Sequence, residues 1–176
     1  MSKPLPWFFN AARRTVVSAF PGLARPADQW ATERLDRAEA QLFLQLPRQE
    51  RAHGIEVAQR LLERWPAAPP TWVRAALLHD VGKLGTPQFV LWRVLTHLLP
   101  AASVAAEPRL PGLAGARQAR VHHAEYGAVL ISRAGGSEEV ARLVRWHHDP
   151  ADDIAAGQGS DFVTGLEALK AADERT

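Results

Sequence analysis

The sequence predicts an all-α protein, and three observations indicate it. No stretch alternates apolar and polar residues in the way that a half-buried β-strand does. Ala, Leu, Arg and Glu, which are good helix formers, dominate the chain. Prolines and glycines divide it into segments of helical length. A chain of 176 residues, of which 47% are hydrophobic, is long enough for one domain with a substantial core.

The first hundred residues are predicted to form five helices. Each ends before a proline or a glycine. The first of them is predicted to be amphipathic. Asp28 is the predicted N-cap of the second helix, and Thr86 is the predicted N-cap of the fifth helix. The predicted ranges are roughly 6–20, 28–46, 48–65, 70–81 and 87–99.

The second part of the chain is predicted to hold two loops and three helices. Residues 100–116 contain three prolines and two glycines, which indicates a long loop of the kind that often serves as a functional lid. A helix through His123 follows and closes at Gly135, and Ser137 caps the next helix, which ends at the pair His147-His148. A second loop over 150–159 leads to a last helix over 161–174.

The predicted domain organisation has two parts. Residues 1–46 are expected to form an N-terminal helical extension packed on the core, and residues 47–176 a single structural unit. The apolar stretch Trp7–Phe9 is interrupted by Arg13 and Arg14 before a signal-peptide core can form, and it is too short to span a membrane. We therefore expect a cytoplasmic protein without stable membrane insertion, which could form a homodimer.

Composition limits the chemistry of the protein. The chain contains no cysteine, so a disulfide framework and thiolate metal sites are excluded, and a metal would have to be held by His and carboxylates. The formal net charge of +2 is far below that of a protein that coats nucleic acid, and no helix clusters Arg and Lys for base recognition. A small phosphorylated molecule is the expected partner, and nucleic acid is not.

Histidines mark the candidate site. Six of the seven histidines lie at four places: His53, His79, the pair His122-His123 and the pair His147-His148. Each place falls on, or at the end of, a different predicted helix, as in helix bundles whose metal ligands point inward. His79 and Asp80 follow the apolar string AALL, so both are predicted to be buried, where a divalent cation would offset the cost of burying them.

These residues resemble the HD-domain superfamily of metal-dependent phosphohydrolases, which an H…HD…D arrangement on a helical bundle identifies. His53, His79 and Asp80 match the first three positions, and Asp173 on the last helix is chosen for the fourth. The resemblance thus implies an HD-domain helical bundle with an extra N-terminal helical segment. Four other carboxylates remain rivals of Asp173: Asp149, Asp152, Asp153 and Asp161.

The resemblance extends to an HD-GYP-like two-metal pattern, H…HD…H…HH…D. The segment HAEYGAVL resembles H-x-x-x-G-x-x-L of that group, which implies His123, His147 and His148 as ligands of a second ion. Asp80 would bridge the ions, and His53, His79 and Asp173 would complete the first. The ligand types imply one or two divalent transition metals, namely Fe, Mn, Ni, Co or Zn, with Mg as a further candidate. The GYP sequence itself is absent, which argues against cyclic-di-GMP as the substrate.

The resemblance implies a metal-dependent phosphohydrolase or phosphodiesterase. It would hydrolyse a phosphate ester or anhydride, of a nucleotide or cyclic nucleotide, by a metal-activated hydroxide. Asp80 and Lys83 are the predicted catalytic residues, and the alternative is a non-catalytic HD-fold signalling or interaction module. Four basic residues are predicted to bind the phosphates of the substrate: Lys83, Arg117, Arg120 and Arg145.

Overall fold

The computed structural model describes residues 25–86, 104–150, 153–154 and 157–174. Within those ranges the chain is helical and contains no β-strand, which confirms the predicted all-α class. The seven α-helices are α1 (Asp28–Thr32), α2 (Arg37–Gln45), α3 (Arg48–Arg64), α4 (Pro70–Leu78), α5 (Gly112–Ala134), α6 (Glu138–Trp146) and α7 (Ser160–Asp173). A 3₁₀ turn, Val81–Lys83, follows α4.

The predicted helix over 28–46 is divided into two helices in the structure. The α-helix α1 ends at Thr32, and α2 begins at Arg37 after Asp36. The side chain of Asp36 accepts a hydrogen bond from the backbone N–H of Glu39, at 2.9 Å. An Asp that bonds the backbone in this way starts a new helix instead of continuing the old one, so the single predicted helix was wrong.

The predicted loop over 100–116 is also wrong at its end, because α5 already begins at Gly112. The two glycines of this stretch suggested a loop, but Gly115 has a packing role. A Cβ atom at Gly115 would lie 1.9 Å from the carbonyl oxygen of Leu110, so only glycine lets the helix start so close to the preceding segment. The glycine therefore reports a close backbone approach and not an irregular chain.

The other boundaries in the described ranges lie within a few residues of those predicted. The α-helix α3 covers Arg48–Arg64, and α7 covers Ser160–Asp173. Ser137 caps α6 through its side chain, as expected. The predicted helices over 6–20 and 87–99 lie outside the described residues, as do His97 and Asp152.

The core lies where α3, α4, α5, α6 and α7 meet. These helices pack on one another, and α2 packs on α4 and α5. Leucines fill the centre, and complete burial of each contributes roughly 2–3 kcal/mol to folding. Among the described residues, the largest apolar side chains that are fully buried are Phe43, Leu46, Leu61, Leu77, Leu78, Ile131, Leu143, Leu166 and Leu169.

A buried ion pair joins the N-terminal helices to this core. The carboxylate of Glu39, which has no exposed surface, lies 2.6 Å from Nε of Arg74 on α4. The same carboxylate accepts a hydrogen bond from the backbone N–H of Ser137, at 3.2 Å, where α6 begins. Glu39 therefore connects α2, α4 and α6. In the described part of the chain, no helix combines the length and apolarity that crossing a bilayer would require.

Candidate metal centre

The histidines and aspartates converge at one end of the helix bundle. His53 lies on α3 and His123 on α5, whereas His79-Asp80 directly follows α4 and His147-His148 directly follows α6. Asp173 is the last residue of α7. Five helices, or the residues that directly follow them, thus contribute to the cluster. At the end of a helix the last carbonyl groups have no partner within that helix, so they are available to other groups.

Three of the histidine rings are oriented by a backbone carbonyl of their own helix. A carbonyl oxygen only accepts hydrogen bonds, so Nδ1 of each ring carries the proton and donates it. Nε2, on the other side of the ring, then presents its lone pair to the centre of the cluster. The three pairs are His79 with Ala76 (2.8 Å), His123 with Ala119 (2.9 Å) and His147 with Val144 (2.6 Å).

The first group of ligand atoms surrounds one oxygen of Asp80. Oδ2 of Asp80 lies 3.3 Å from Nε2 of His79 and 3.7 Å from Nε2 of His53. Oδ1 of Asp173 lies 3.2 Å from Nε2 of His53 and 3.7 Å from Nε2 of His79. Four side chains from two helices, α3 and α7, and from the turn after α4 therefore face one another.

The second group lies on the other side of the same carboxylate. Oδ1 of Asp80 is 3.4 Å from Nε2 of His123, which is 3.0 Å from Nε2 of His148. The ring of His147 lies close to one histidine of each group. Its centroid is 5.3 Å from that of His123 and 5.5 Å from that of His79. Asp80 thus directs one oxygen to each group. Its backbone, at φ −97° and ψ 5°, lies in the sparsely populated bridge region where many active-site residues are found.

The spacing of these atoms fits a cation. Ligand atoms about 2.1 Å from a metal ion stand roughly 3.0–3.4 Å apart in octahedral or tetrahedral geometry. Two sets, His53-His79-Asp80 and His123-His147-His148, each keep their ligand atoms within 4.8 Å of one another. Among the described residues, Nε2 of His79 and Nε2 of His147 are buried and make no hydrogen bond. A metal ion would satisfy both lone pairs, so the nitrogen and oxygen donors fit a divalent transition metal.

The charges of the cluster support the same reading. Burial opposes a charged imidazolium at His79, yet Asp80 and Asp173 outweigh it and raise the pKa of His79 to about 9. Burial lowers the pKa of His123 to about 4, and it also lowers those of His147 and His148. Lys83 and His79 hold the pKa of Asp80 well below its usual value despite burial. The two carboxylates therefore favour positive charge at Nε2 of His79, at the place that a cation would take, and a bound cation would displace the second proton of that ring.

Glu50 is a component of the site that the sequence did not reveal. This carboxylate is 3% exposed on α3, one turn before His53. Nζ of Lys83 lies 3.5 Å from Oε2 of Glu50 and 2.5 Å from Oδ2 of Asp80. Only the packing of α3 against the turn after α4 brings Glu50 to Lys83.

The other predicted site residues, namely the phosphate-binding arginines and the rival carboxylates, differ in their position relative to the cluster. Arg145 is exposed at the end of α6, three residues before His148, whereas Arg117 and Arg120 lie on α5, six and three residues before His123. The structure therefore brings Lys83 to the carboxylates of Glu50 and Asp80, and Arg145 lines a surface pocket together with His148. Among the rival carboxylates in the described ranges, three are exposed, namely Asp149, Asp153 and Asp161. Asp173 is the one that faces His53 and His79.

Comparison with known proteins identifies one family. The sequence model of the family described as HD domain matches residues 53–175, which is well over half of the chain. The matched range begins at His53 and includes every residue of the two ligand groups. No curated protein and no solved structure matches this chain.

Proposed function

This chain belongs to the HD-domain family, and on that premise we propose that it is a metal-dependent phosphohydrolase. The proposed substrate is a phosphate ester or anhydride of a nucleotide or cyclic nucleotide, and the proposed metal content is two divalent transition-metal ions. The observation that carries the proposal is the position of Asp80. Its two carboxylate oxygens face two separate groups of ligand atoms, at 3.3 Å and 3.4 Å from the nearest histidine nitrogens.

The proposed ligand sets follow from that position. One ion would be held by His53, His79 and Asp173. The other ion would be held by His123, His147 and His148, and Asp80 would contribute to both sites. When bound, the ions lower the pKa of water and withdraw negative charge from the phosphoryl oxygens. The chain supplies a preorganised set of donors, of which His79, Asp80, His123 and His147 are buried. The carbonyl-bonded Nδ1 atoms keep three of the rings in place.

Lys83 supplies the proton chemistry in this proposal. In hydrolysis the oxygen of water bonds to phosphorus, the bond to the leaving oxygen breaks, and that oxygen needs a proton. The ammonium group of Lys83, 2.5 Å from Asp80, is placed to contact a phosphoryl oxygen and to donate this proton. Glu50 holds the ammonium from the opposite side and so positions it beside the ligands.

The test combines metal analysis with a substrate panel. Purified protein is expected to contain transition metal and to hydrolyse at least one phosphate ester or anhydride. Asp80→Asn keeps the shape of the side chain but removes its charge, so metal content should fall and activity should fall at least about 100-fold. Asp161→Asn, an exposed Asp of α7, is the matched control and should behave like the wild type.

Three outcomes would contradict the proposal or a part of it. A protein that binds no transition metal, and gains no activity when Mn or Fe is added, would exclude the enzyme. A protein that retains its metal but hydrolyses no member of the panel would favour the non-catalytic signalling or interaction module. Full activity of Asp80→Asn would remove the proposed bridging role.

A further inference from the structure

A pocket lies directly beside the candidate metal centre. It has a volume of about 330 Å³ and is formed between the outer face of α5 and the residues that end α6. His148 lines this pocket, and its Nε2 is also 3.0 Å from Nε2 of His123 inside the cluster. One side chain therefore belongs to both places, so the pocket directly borders the cluster.

The lining of the pocket combines three kinds of group. Val121 and Ala124 contribute apolar surface, Arg145 a guanidinium, and Glu125 and Asp149 carboxylates. A ligand that is only anionic would be repelled by the two carboxylates, and a purely apolar ligand would leave them without partners. The lining suits a ligand that is flat or apolar in part and donates hydrogen bonds from hydroxyl or amino groups. Its volume is at the lower limit for small-molecule sites, which run from about 300 to 1,000 Å³.

We propose that this pocket binds the nucleoside part of a nucleotide whose phosphate lies at the cluster of His123, His147 and His148. The inference rests on the proposed function and specifies its substrate class. Ribose hydroxyls and base amino groups would donate to Glu125 and Asp149, the base would lie against the apolar wall, and Arg145 would contact base or phosphate oxygens. The volume accommodates one nucleoside, so the substrate would be a mononucleotide.

The pocket also has a fixed rim, which supports a preformed binding site. The ring of His122, which lines the pocket, pairs through Nε2 with the carbonyl of Val104 at 2.6 Å. The buried side chain of Gln118 donates to the carbonyls of Ala105 and Pro108, at 2.8 Å and 2.9 Å. The segment before α5 is thereby fastened along that helix next to the pocket.

The test separates binding in the pocket from binding at the metals. Equilibrium binding to the metal-loaded protein is measured for ribonucleoside 5′-methylenephosphonates, which resist hydrolysis, and for methylphosphonate, which lacks the nucleoside. Val121 is 40% exposed, so Val121→Trp fills the pocket from outside without entering the core. We expect this variant to bind the nucleoside analogues at least tenfold more weakly and methylphosphonate within twofold of the wild type. Leu44→Trp, at a residue of α2 that is 49% exposed and does not line the pocket, is the matched control.

A second variant tests the chemistry of the pocket without adding bulk. Glu125→Ala should weaken binding of the nucleoside analogues several-fold and leave methylphosphonate unchanged, whereas the exposed control Glu167→Ala should change neither. Nucleoside analogues that bind wild type no better than methylphosphonate, or that bind Val121→Trp unchanged, would overturn the inference. Equal weakening of both probes by Val121→Trp would overturn it too, and so would ribose 5-phosphate binding as tightly as the nucleoside analogues.

Failure of this inference can be distinguished from failure of the proposed function, because the binding measurements require no turnover. Hydrolysis of phosphate esters without any preference for nucleoside analogues would refute the pocket assignment alone. Selective binding of nucleoside analogues by a protein that hydrolyses nothing would refute the proposed enzyme alone.

Discussion

Single atoms decide the chemistry of the candidate site. Asp80 can serve both ligand groups because its two oxygens point in different directions, and the histidines can face it because their Nδ1 atoms are bonded to the backbone. Lys83 contacts the same carboxylate from outside the ligand groups. A half-buried Lys beside a metal would be repelled by the ion, so a second carboxylate is needed to keep it there. Glu50 has this position.

Glu50→Gln tests that role at the scale of one residue. Loss of the negative charge frees Lys83 from its place, so we expect kcat to fall about tenfold with metal content unchanged. Glu63→Gln, an exposed Glu on the same helix, is the control and should leave kcat unchanged.

A double-mutant cycle distinguishes this role from a merely structural one. Because Glu50 is proposed to act through Lys83, Glu50→Gln should have no further effect on kcat in a protein that already carries Lys83→Ala. Additive losses in the double variant, or loss of metal in Glu50→Gln, would show that Glu50 acts in another way.

At the scale of elements, the site depends on how closely the turn after α4 approaches α5. Gly82 lies in that turn, and a Cβ atom there would be 1.8 Å from the carbonyl oxygen of His123 and 2.6 Å from the backbone nitrogen of Gly127. Both neighbours are backbone atoms of a helix and cannot rotate away. The glycine therefore sets the distance between Asp80 and His123, on which the shared carboxylate depends.

Gly82→Ala should separate the two ligand groups. The turn would have to move by more than an ångström, so we expect the metal of the second group to bind at least tenfold more weakly and the melting temperature to fall. Gly159→Ala is the matched control, because a Cβ atom at Gly159 meets no atom within 4 Å. Metal content is measured by elemental analysis and melting by circular dichroism. Wild-type affinity for both metals in Gly82→Ala would contradict this account of the packing.

At the scale of the whole molecule, the cluster is a concentration of buried charge that the fold must compensate. Asp80 is buried, and Asp173 is close enough to His53 and His79 for the proton on His79 to balance them when metal is absent. His79 has a pKa of about 9 in the folded protein against 6.5 for an ordinary histidine. A group whose pKa is raised by folding stabilises the folded protein when the pH is below the pKa of that group in the unfolded chain. This contribution is lost as the pH rises through the pKa of the group in the folded protein.

When the metal is removed, the free energy of unfolding should therefore fall as the pH rises above neutrality. We expect the metal-free protein to lose on the order of 3 kcal/mol between pH 6.5 and pH 9, which is about 6–12 °C in melting temperature. The metal-loaded protein should not show this loss, because the cation takes the place of the proton. Metal-free His79→Gln should have a flatter profile than metal-free wild type. An equally steep profile in that variant would assign the pH dependence to other groups.

The predictions from the sequence differ in outcome according to whether they concern local or distant relations. The all-α class and membership of the HD-domain superfamily, predicted from His53, His79, Asp80 and Asp173, are confirmed. The single helix over 28–46 was wrong, because Asp36 bonds the backbone and starts a second helix. The division at residue 46, the two-metal pattern, the homodimer and the cytoplasmic location remain predictions.

The sequence by itself determined the kinds of donor, the absence of thiolates and the helices that carry the histidines, because these depend on residue type and on periodicity along a short stretch. Tertiary structure alone decided that Asp80 directs one oxygen to each ligand group, that Glu50 holds Lys83, and that a pocket borders His148. Those relations join residues on different helices. Their geometry depends on close packing at contacts such as Gly82 against α5, which no local pattern in the sequence records.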